Sequence, residues 1–202
     1  MAITFPLALP SAPSPSRIRF TPYAVVAVGV SPFTGHQQVY EHQGQLWKLD
    51  FDLPSMQRVD AEEWSAFLLS LNGRYGTFTM GDPNGAIPRG IATGTPLVKG
   101  ASQTGKVLLT DGWTISTTNI MRKGDKIQLG TSLHKLLKDV NSDGSGNATL
   151  DIWPRLRTSP ADNAAIIVTN CKGLFRLTKN EMVWELTIGL EYGFSIEAVE
   201  AL

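Results

Sequence analysis

The sequence is poor in the residues that several functional classes require. It has one cysteine, Cys171, in 202 residues, so no intramolecular disulfide can form and no cysteine-based zinc site can close. Its 18 basic and 18 acidic side chains leave a net charge of +0, whereas proteins that bind nucleic acid by neutralising phosphates are usually basic. The sequence therefore excludes a disulfide-stabilised fold and gives no support to specific nucleic-acid binding.

Long apolar runs are also missing. No window of about 18 apolar residues exists, so we expect neither a transmembrane helix nor a membrane partner. The first ten residues are apolar but lack a basic start and contain Pro6 and Pro10, which argues against a signal peptide and favours a strand or an extended arm. Residues 11–16, rich in Pro and Ser, are predicted to form an extended loop or arm.

Short apolar runs separated by 19 glycines and 12 prolines predict a mainly β fold. The apolar side chains of residues 47–53 alternate with polar ones, which indicates a half-buried strand of a hairpin whose turn lies at Gly44. The predicted strands are Arg17–Thr21, Ala24–Val30, His36–His42, Leu46–Leu53, Tyr75–Met80, Val107–Leu109, Lys126–Leu129, Leu133–Val140, Ala148–Ile152, Ala165–Thr169, Leu174–Leu177, Val183–Leu190 and Tyr192–Val199.

Residues 61–71 are the one segment with a clear helical pattern. Ala61, Trp64 and Phe67 belong to a single apolar stripe. Asp60 is placed to cap the helix, with Glu63 at capping-box spacing. Gly73 suits the left-handed position after the last turn.

Charge divides the chain into three parts. Residues 91–171 hold nine basic and six acidic side chains, whereas both flanking parts have an acidic excess. The central part also has five short predicted strands, which suit a small barrel. We therefore predict a discontinuous β domain, residues 1–90 and 172–202, with an inserted small barrel, residues 91–171.

Two motifs match known ligand loops but lack the required context. Gly100–Lys106 matches GxxxxGK, but Val107 replaces the magnesium-binding Ser or Thr and a strand pattern follows instead of a helix. Asp139–Gly144 matches the start of an EF-hand loop, but Leu150 occupies the position of the bidentate Glu. We interpret both as turns; a surface calcium site built from the second loop is the alternative.

No catalytic motif was found, so we expect no enzymatic activity, cofactor or metal. Cys171 has no sequence partner for nucleophilic chemistry and fits a small buried apolar residue. The three histidines lack metal-ligand spacing. Glu185 and Glu191 could form a glycosidase pair, but a solvated strand face explains them equally well.

Aromatic and basic residues of the central part suggest carbohydrate binding as an alternative function. Trp113, Trp153 and Arg155 could line a glycan-binding face of the barrel, as such barrels sometimes do. The competing interpretation is that the tryptophans are core residues and the arginine is a surface residue.

Two groups of segments resemble the small distal tail proteins of long-tailed, non-contractile bacteriophages. The first group is Phe51–Arg58, Ala61–Leu71, Gly73–Phe78 and Gly81–Pro83, and the second is Gly124–Gly130, Leu133–Lys138, Asn147–Leu150, Ile152–Arg157 and Gly173–Leu177. The resemblance extends from about residue 45 to the end of the chain. Its motifs maintain a fold and carry no catalytic residues.

The resemblance implies a homo-hexameric ring at the tail tip of the virion. In that family the ring joins the tail tube protein to the distal hub, tail-fibre or receptor-binding proteins. The resemblance implies a β-sandwich or split-barrel fold for the ring-forming domain, residues 1–90 and 172–202. Some members carry an inserted barrel similar to an oligonucleotide/oligosaccharide-binding fold, which corresponds to residues 91–171. Such a protein would be made in the cytoplasm of the bacterial host without a signal peptide. The alternative function is a carbohydrate-binding adhesion module that contacts the host surface through the barrel.

A closed ring needs two different complementary patches on each subunit. The arm at residues 11–16 and the loop at residues 81–90, with Asp82, Asn84 and Arg89, are the candidate contact elements. They could equally be ordinary surface loops.

Overall fold

The computed structural model describes residues 3–186, 189 and 191–202. The fold is mainly β with two sheets, which confirms the predicted fold class. Among the described residues there is one α-helix, α1 (Arg58–Ser70). The strands are β1 (Leu7–Ala8), β2 (Arg17–Val30), β3 (Gln37–Asp52), β4 (Phe78–Gly81), β5 (Gly94–Val98), β6 (Gly105–Trp113), β7 (Lys126–Leu129), β8 (Ser132–Leu136), β9 (Ala148–Leu156), β10 (Ile166–Ile167), β11 (Lys172–Leu177), β12 (Trp184–Leu186) and β13 (Tyr192–Glu200).

The first sheet joins strands from both ends of the chain. Its order is β1-β4-β11-β13-β3-β2, and β12 pairs with β13 outside this path. Apart from the parallel pair β1–β4, the pairs are antiparallel. The terminal strand β13 lies beside β3, with Ile196 opposite Phe51.

The second sheet uses the central strands and curves into a nearly closed barrel. Its order is β10-β7-β8-β9-β6-β5. An isolated bridge between Leu97 and Ala165 brings the two end strands together, and Val98 N–H donates to the Ala164 carbonyl at 3.0 Å. Along the chain, strands of the first sheet therefore come both before and after the strands of the second sheet. The domain boundaries at residues 90 and 172 stay a prediction.

An aromatic cluster fixes the helix on the first sheet. Trp64 of α1 is fully buried and lies 6.2 Å from Phe51 and 5.8 Å from Phe67, measured between ring centroids. Phe67 in turn lies 5.8 Å from Phe78 of β4. Edge-to-face pairs of this kind add stabilisation beyond the apolar area they bury, so the helical stripe seen in the sequence is the core-facing side of α1.

A partly buried ionic network joins the two sheets. The Glu200 side chain, 2% exposed, forms a 2.6 Å ion pair with Arg157, which follows β9 in the second sheet. The same carboxylate accepts the Trp47 backbone N–H at 3.0 Å. Arg157 also donates to the Gln45 carbonyl at 2.5 Å and 3.1 Å. The network therefore joins β13 and β3 of the first sheet to the end of β9.

The predicted turn at Gly44 is wrong. Strand β3 passes through Gly44, and the turn of the β2–β3 hairpin lies between Val30 and Gln37. A Cβ at Gly44 would lie 2.9 Å from a methyl group of Val25 on the opposite strand. A larger residue there would force the Val25 side chain to move, because the two strands approach closely near the register shift between Ala24 and Val26.

The predicted helix cap is also wrong. The helix starts at Arg58, its N-cap residue is Gln57, and no side chain caps it. Asp60 lies in the first turn instead, where a carboxylate is favoured by the helix dipole. The expected left-handed glycine is confirmed, since Gly73 has φ 64°.

Several strand bounds differ from the prediction. Strand β2 is continuous through Pro22, because an edge strand tolerates a residue without an N–H. Strand β8 ends at Leu136, and β4 begins at Phe78. Strand β5 was not predicted. Of the predicted strand Val183–Leu190, Trp184–Leu186 forms β12, and residues 187, 188 and 190 lie outside the described residues.

The inter-sheet network gives a stability prediction. Glu200→Gln leaves the Arg157 guanidinium without its ionic partner, so we expect the free energy of unfolding to fall by roughly 3 kcal/mol. Glu197→Gln on the same strand is the matched control, because its pair with Lys179 is 50% and 67% exposed and should contribute less than about 1 kcal/mol. Urea unfolding measures both, and equal losses would contradict the role of Glu200.

Candidate functional site

The loop after β4 is folded against the barrel. The Asp82 carboxylate accepts the Asn84 N–H at 3.0 Å and so caps a 3₁₀ turn, Pro83–Gly85. It also forms an ion pair with Lys126 of β7. Burial raises the pKa of Asp82, but the hydrogen bond and charge of Lys126 and the Gly85 and Asn84 N–H groups outweigh it and lower the pKa below its usual value. Asp82 therefore stays ionised and ties the loop to the second sheet.

Arg89 continues this attachment through Asp125. The Asp125 carboxylate accepts backbone N–H groups of Arg89 at 2.9 Å, Gly90 at 3.0 Å and Arg122 at 2.8 Å. The Arg89 guanidinium donates to the Lys123 carbonyl. Asn84 is exposed. The structure thus uses Asp82 and Arg89 within the chain, and their role in a subunit interface stays a prediction.

The predicted glycan-facing residues do not form one face. Trp113 is 3% exposed in the core of the barrel, and its indole N–H donates to Thr110 at 2.8 Å, so it cannot present a ring to a sugar. Trp153 is half-buried and packs edge-on against Trp47, 4.5 Å between ring centroids. The Arg155 backbone N–H donates to Gln45 at 2.9 Å. Only Trp153 of the two tryptophans lies at a surface.

The two loops with motif matches are closed by their own hydrogen bonds. No helix follows Gly100–Lys106, since β6 begins at Gly105. The Gln103 side chain donates to the Leu109 carbonyl and accepts the Leu109 N–H. In the other loop, Asp139 accepts the Lys123 N–H and Asn141 accepts the Asn119 N–H. One carboxylate oxygen of Asp139 and the amide oxygen of Asn141 therefore each accept a backbone N–H of a neighbouring segment.

Asp143 and Cys171 have equally local roles. Asp143 accepts hydrogen bonds from the side chain and backbone of Asn147 and from the Ser145 N–H, and these lower the pKa of Asp143. Cys171 is 3% exposed, and burial raises the pKa of its thiol to about 11. A protonated, buried thiol is a poor nucleophile, which agrees with its interpretation as a small core residue.

Two further absences apply to the described residues. No group of three or more His, Cys, Asp or Glu side chains in this part of the chain could hold a metal ion. No helix within it is long and apolar enough to cross a membrane.

The most unusual surface is one that the sequence pattern did not predict. Apart from Ser31, every residue from 22 to 44 is exposed; we call this projecting part of β2 and β3 the hairpin arm. It carries many exposed apolar side chains: Tyr23, Val25, Val26, Val28, Val30, Phe33, Val39 and Tyr40. The sequence showed strands here, but apolar runs of this kind are normally predicted to be buried.

Few contacts attach the hairpin arm to the rest of the chain. Lys106 of β6 forms a 2.5 Å ion pair with Glu41. The hydrogen bond and charge of Lys106 lower the pKa of Glu41. Strand β13 pairs with β3 only from Lys48 to Asp52, so beyond this register the two arm strands pair with each other. A two-stranded ribbon of this kind is marginally stable in water.

Comparison with known proteins gave no assignment: no family model matches the sequence, and no curated protein matches it.

The buried His134 gives a pH prediction. Its side chain is 3% exposed, and Nδ1 lies 2.7 Å from the Pro154 carbonyl. Burial lowers the pKa of His134, and the charge of Arg157 adds to this, although the Pro154 contact and Glu200 oppose it. Below about pH 6.5 His134 therefore binds a proton more readily in the unfolded chain than in the folded chain.

We expect the stability that neutral His134 contributes to be complete above about pH 6.5 and to fall as the pH decreases below it. His134→Gln should reduce the pH slope of the unfolding free energy by up to about 1.4 kcal/mol per pH unit. Urea unfolding between pH 5 and 8 measures it, with His36→Gln on the exposed arm as control. A wild-type slope in His134→Gln would contradict the assignment.

Proposed function

We propose that this chain is a structural subunit of a bacteriophage tail tip. Six copies would form a closed ring that joins the tail tube protein to the distal hub and the receptor-binding or tail-fibre proteins of the virion. The protein would act by assembly and not by catalysis. The exposed, apolar hairpin arm is the observation that supports assembly. The resemblance of residues 45–202 to distal tail proteins supports the location at the tail tip.

The hairpin arm has the properties of an unsatisfied protein interface. Exposed fractions are 54% for Val28, 61% for Val39 and 95% for Phe33. Contiguous exposed apolar side chains mark sites where another protein binds. Covering them would also stabilise a ribbon that has little support within its own chain.

The ends of the first sheet supply two different contact surfaces. Strand β2 lies at one end of the sheet, and the short strand β1 lies at the other. The outer strand of a sheet offers unpaired backbone N–H and C=O groups to a neighbour. A long apolar arm at one end and a short strand at the other favour head-to-tail contacts, which close into a ring when the rotation between neighbours allows it.

The number six and the tail-tip location rest on the resemblance. Its segments include Phe51–Arg58, which ends β3 and leads into α1, and Gly81–Pro83, which begins the loop tied to Lys126. These segments hold the first sheet, the helix and the barrel in contact. They therefore support a common architecture, and the arm supports assembly independently of them.

Substitution of the cross-strand pair Val28 and Val39 tests the proposal. The two residues lie opposite each other in the register of β2 and β3. Val28→Lys combined with Val39→Glu removes apolar area and keeps an attractive cross-strand pair, so the hairpin can still form. We expect assembly to require at least roughly tenfold more protein than the wild type, because each buried valine contributes about 1.5 kcal/mol or more.

Sedimentation velocity over a range of concentrations measures this change. Val107→Lys with Leu109→Glu is the matched control, because these side chains of β6 are 42% and 47% exposed outside the arm. The control should assemble as the wild type does. Wild-type assembly by the arm variant, or equal losses in both variants, would contradict a role of the arm in the ring.

A further inference from the structure

A cleft between the two sheets has the composition of a ligand site. Its cavity volume is about 430 Å³, within the range of pockets that bind small molecules. Phe20 and Trp47 come from the first sheet, and Trp153 comes from the second. Such pockets combine an apolar lining with a few placed polar groups, and this cleft has both.

The aromatic floor of the cleft is rigid. Trp47 is 5% exposed, and its indole N–H donates to the Leu133 carbonyl at 2.9 Å. Trp47 packs edge-on against both Phe20 and Trp153, with centroid distances of 6.0 Å and 4.5 Å. The half-buried Trp153 is thus held in one orientation at the cleft. A fixed ring loses little conformational entropy when a ligand packs against it.

The charged residues of the cleft select the charge of a ligand. The Lys126 side chain is 9% exposed and pairs with Asp82, and its ammonium lies 5.2 Å from the centroid of the Phe20 ring. Lys135 also lines the cleft, and its side-chain ammonium forms no hydrogen bond or ion pair within the described part of the chain. Lys126 therefore occupies the place above the Phe20 ring where the cation of a ligand could bind. The ammonium of Lys135 is available to bind an anion.

We propose that this cleft binds a saccharide that carries a carboxylate, such as a uronic acid unit. The C–H face of a pyranose ring is positively polarised and packs against the negative face of an aromatic ring such as Trp153. The Asp82 carboxylate has further lone pairs that accept hydrogen bonds from sugar hydroxyls. Lys135 pairs with the sugar carboxylate through a charge-assisted hydrogen bond.

A single available cation favours an acidic sugar over nucleic acid. Single-stranded nucleic acid binds where a positively charged groove follows several phosphates. Here Asp82 already neutralises Lys126, which leaves Lys135 as the cation offered by the cleft. The site is formed within one chain, so the proposal does not depend on the ring.

Titration of the full-length protein with a galacturonic acid trimer, followed by calorimetry and tryptophan fluorescence, tests the site. The methyl ester of the same trimer keeps the sugar rings and removes the charges. We expect saturable binding of the acid and at least about tenfold weaker binding of the ester. Lys135→Ala should weaken binding of the acid by about tenfold and remove its advantage over the ester.

Lys123→Ala is the matched control, since Lys123 is exposed and does not line the cleft; it should bind as the wild type does. Trp153→Ala should abolish binding and Trp153→Phe should retain part of it, with thermal unfolding used to verify that each variant folds. Equal binding of acid and ester, no effect of Lys135→Ala, or tighter binding of a dT10 oligonucleotide than of the trimer would overturn the proposal.

Discussion

The buried pair between Glu200 and Arg157 is the interaction on which the relation between the two sheets depends. Strand β13 carries Glu200 at its end, so the last residues of the chain reach the first sheet and the barrel at once. Removal of Arg157 would leave the buried Glu200 carboxylate without its cation, which is strongly destabilising. At the same junction Trp47 packs against Trp153, and both line the aromatic cleft. The ionic network also positions the base of the hairpin arm, because Gln45 belongs to it.

The molecule combines this well-packed junction with a surface that its own chain leaves uncovered. The part of β3 that follows the hairpin arm has its inward side chains buried in the core beside α1. Within the hairpin arm, β2 and β3 expose apolar side chains to solvent. The packed base therefore sets the direction in which the hairpin arm projects. The Glu41–Lys106 pair and the barrel behind it support that direction.

The periodicity of apolar residues predicted strands and the helix, whose burial depends on local sequence. It did not predict features that depend on contacts between residues distant in sequence. Strand β7 was predicted with its observed bounds, and the α1 stripe with its core residues. The stripe was predictable because apolar side chains recur there at helical spacing. The hairpin turn was misplaced because Gly44 serves a close approach to Val25 and not a reversal of the chain. Trp113 and Trp153 were grouped because both are aromatic and lie in the basic central part. Their burial differs because one lies inside the barrel and the other lies between the sheets. The cleft itself could not be predicted, since its residues are distant in sequence.

The proposed function requires the chain to close into a six-fold ring. Light scattering of the purified wild-type protein over a wide concentration range, with negative-stain imaging of the largest species, tests it most directly. We expect a species with six times the monomer mass whose images show closed rings with a central opening. Monomers at every concentration with no rings in the images, or open filaments of variable length, would contradict it.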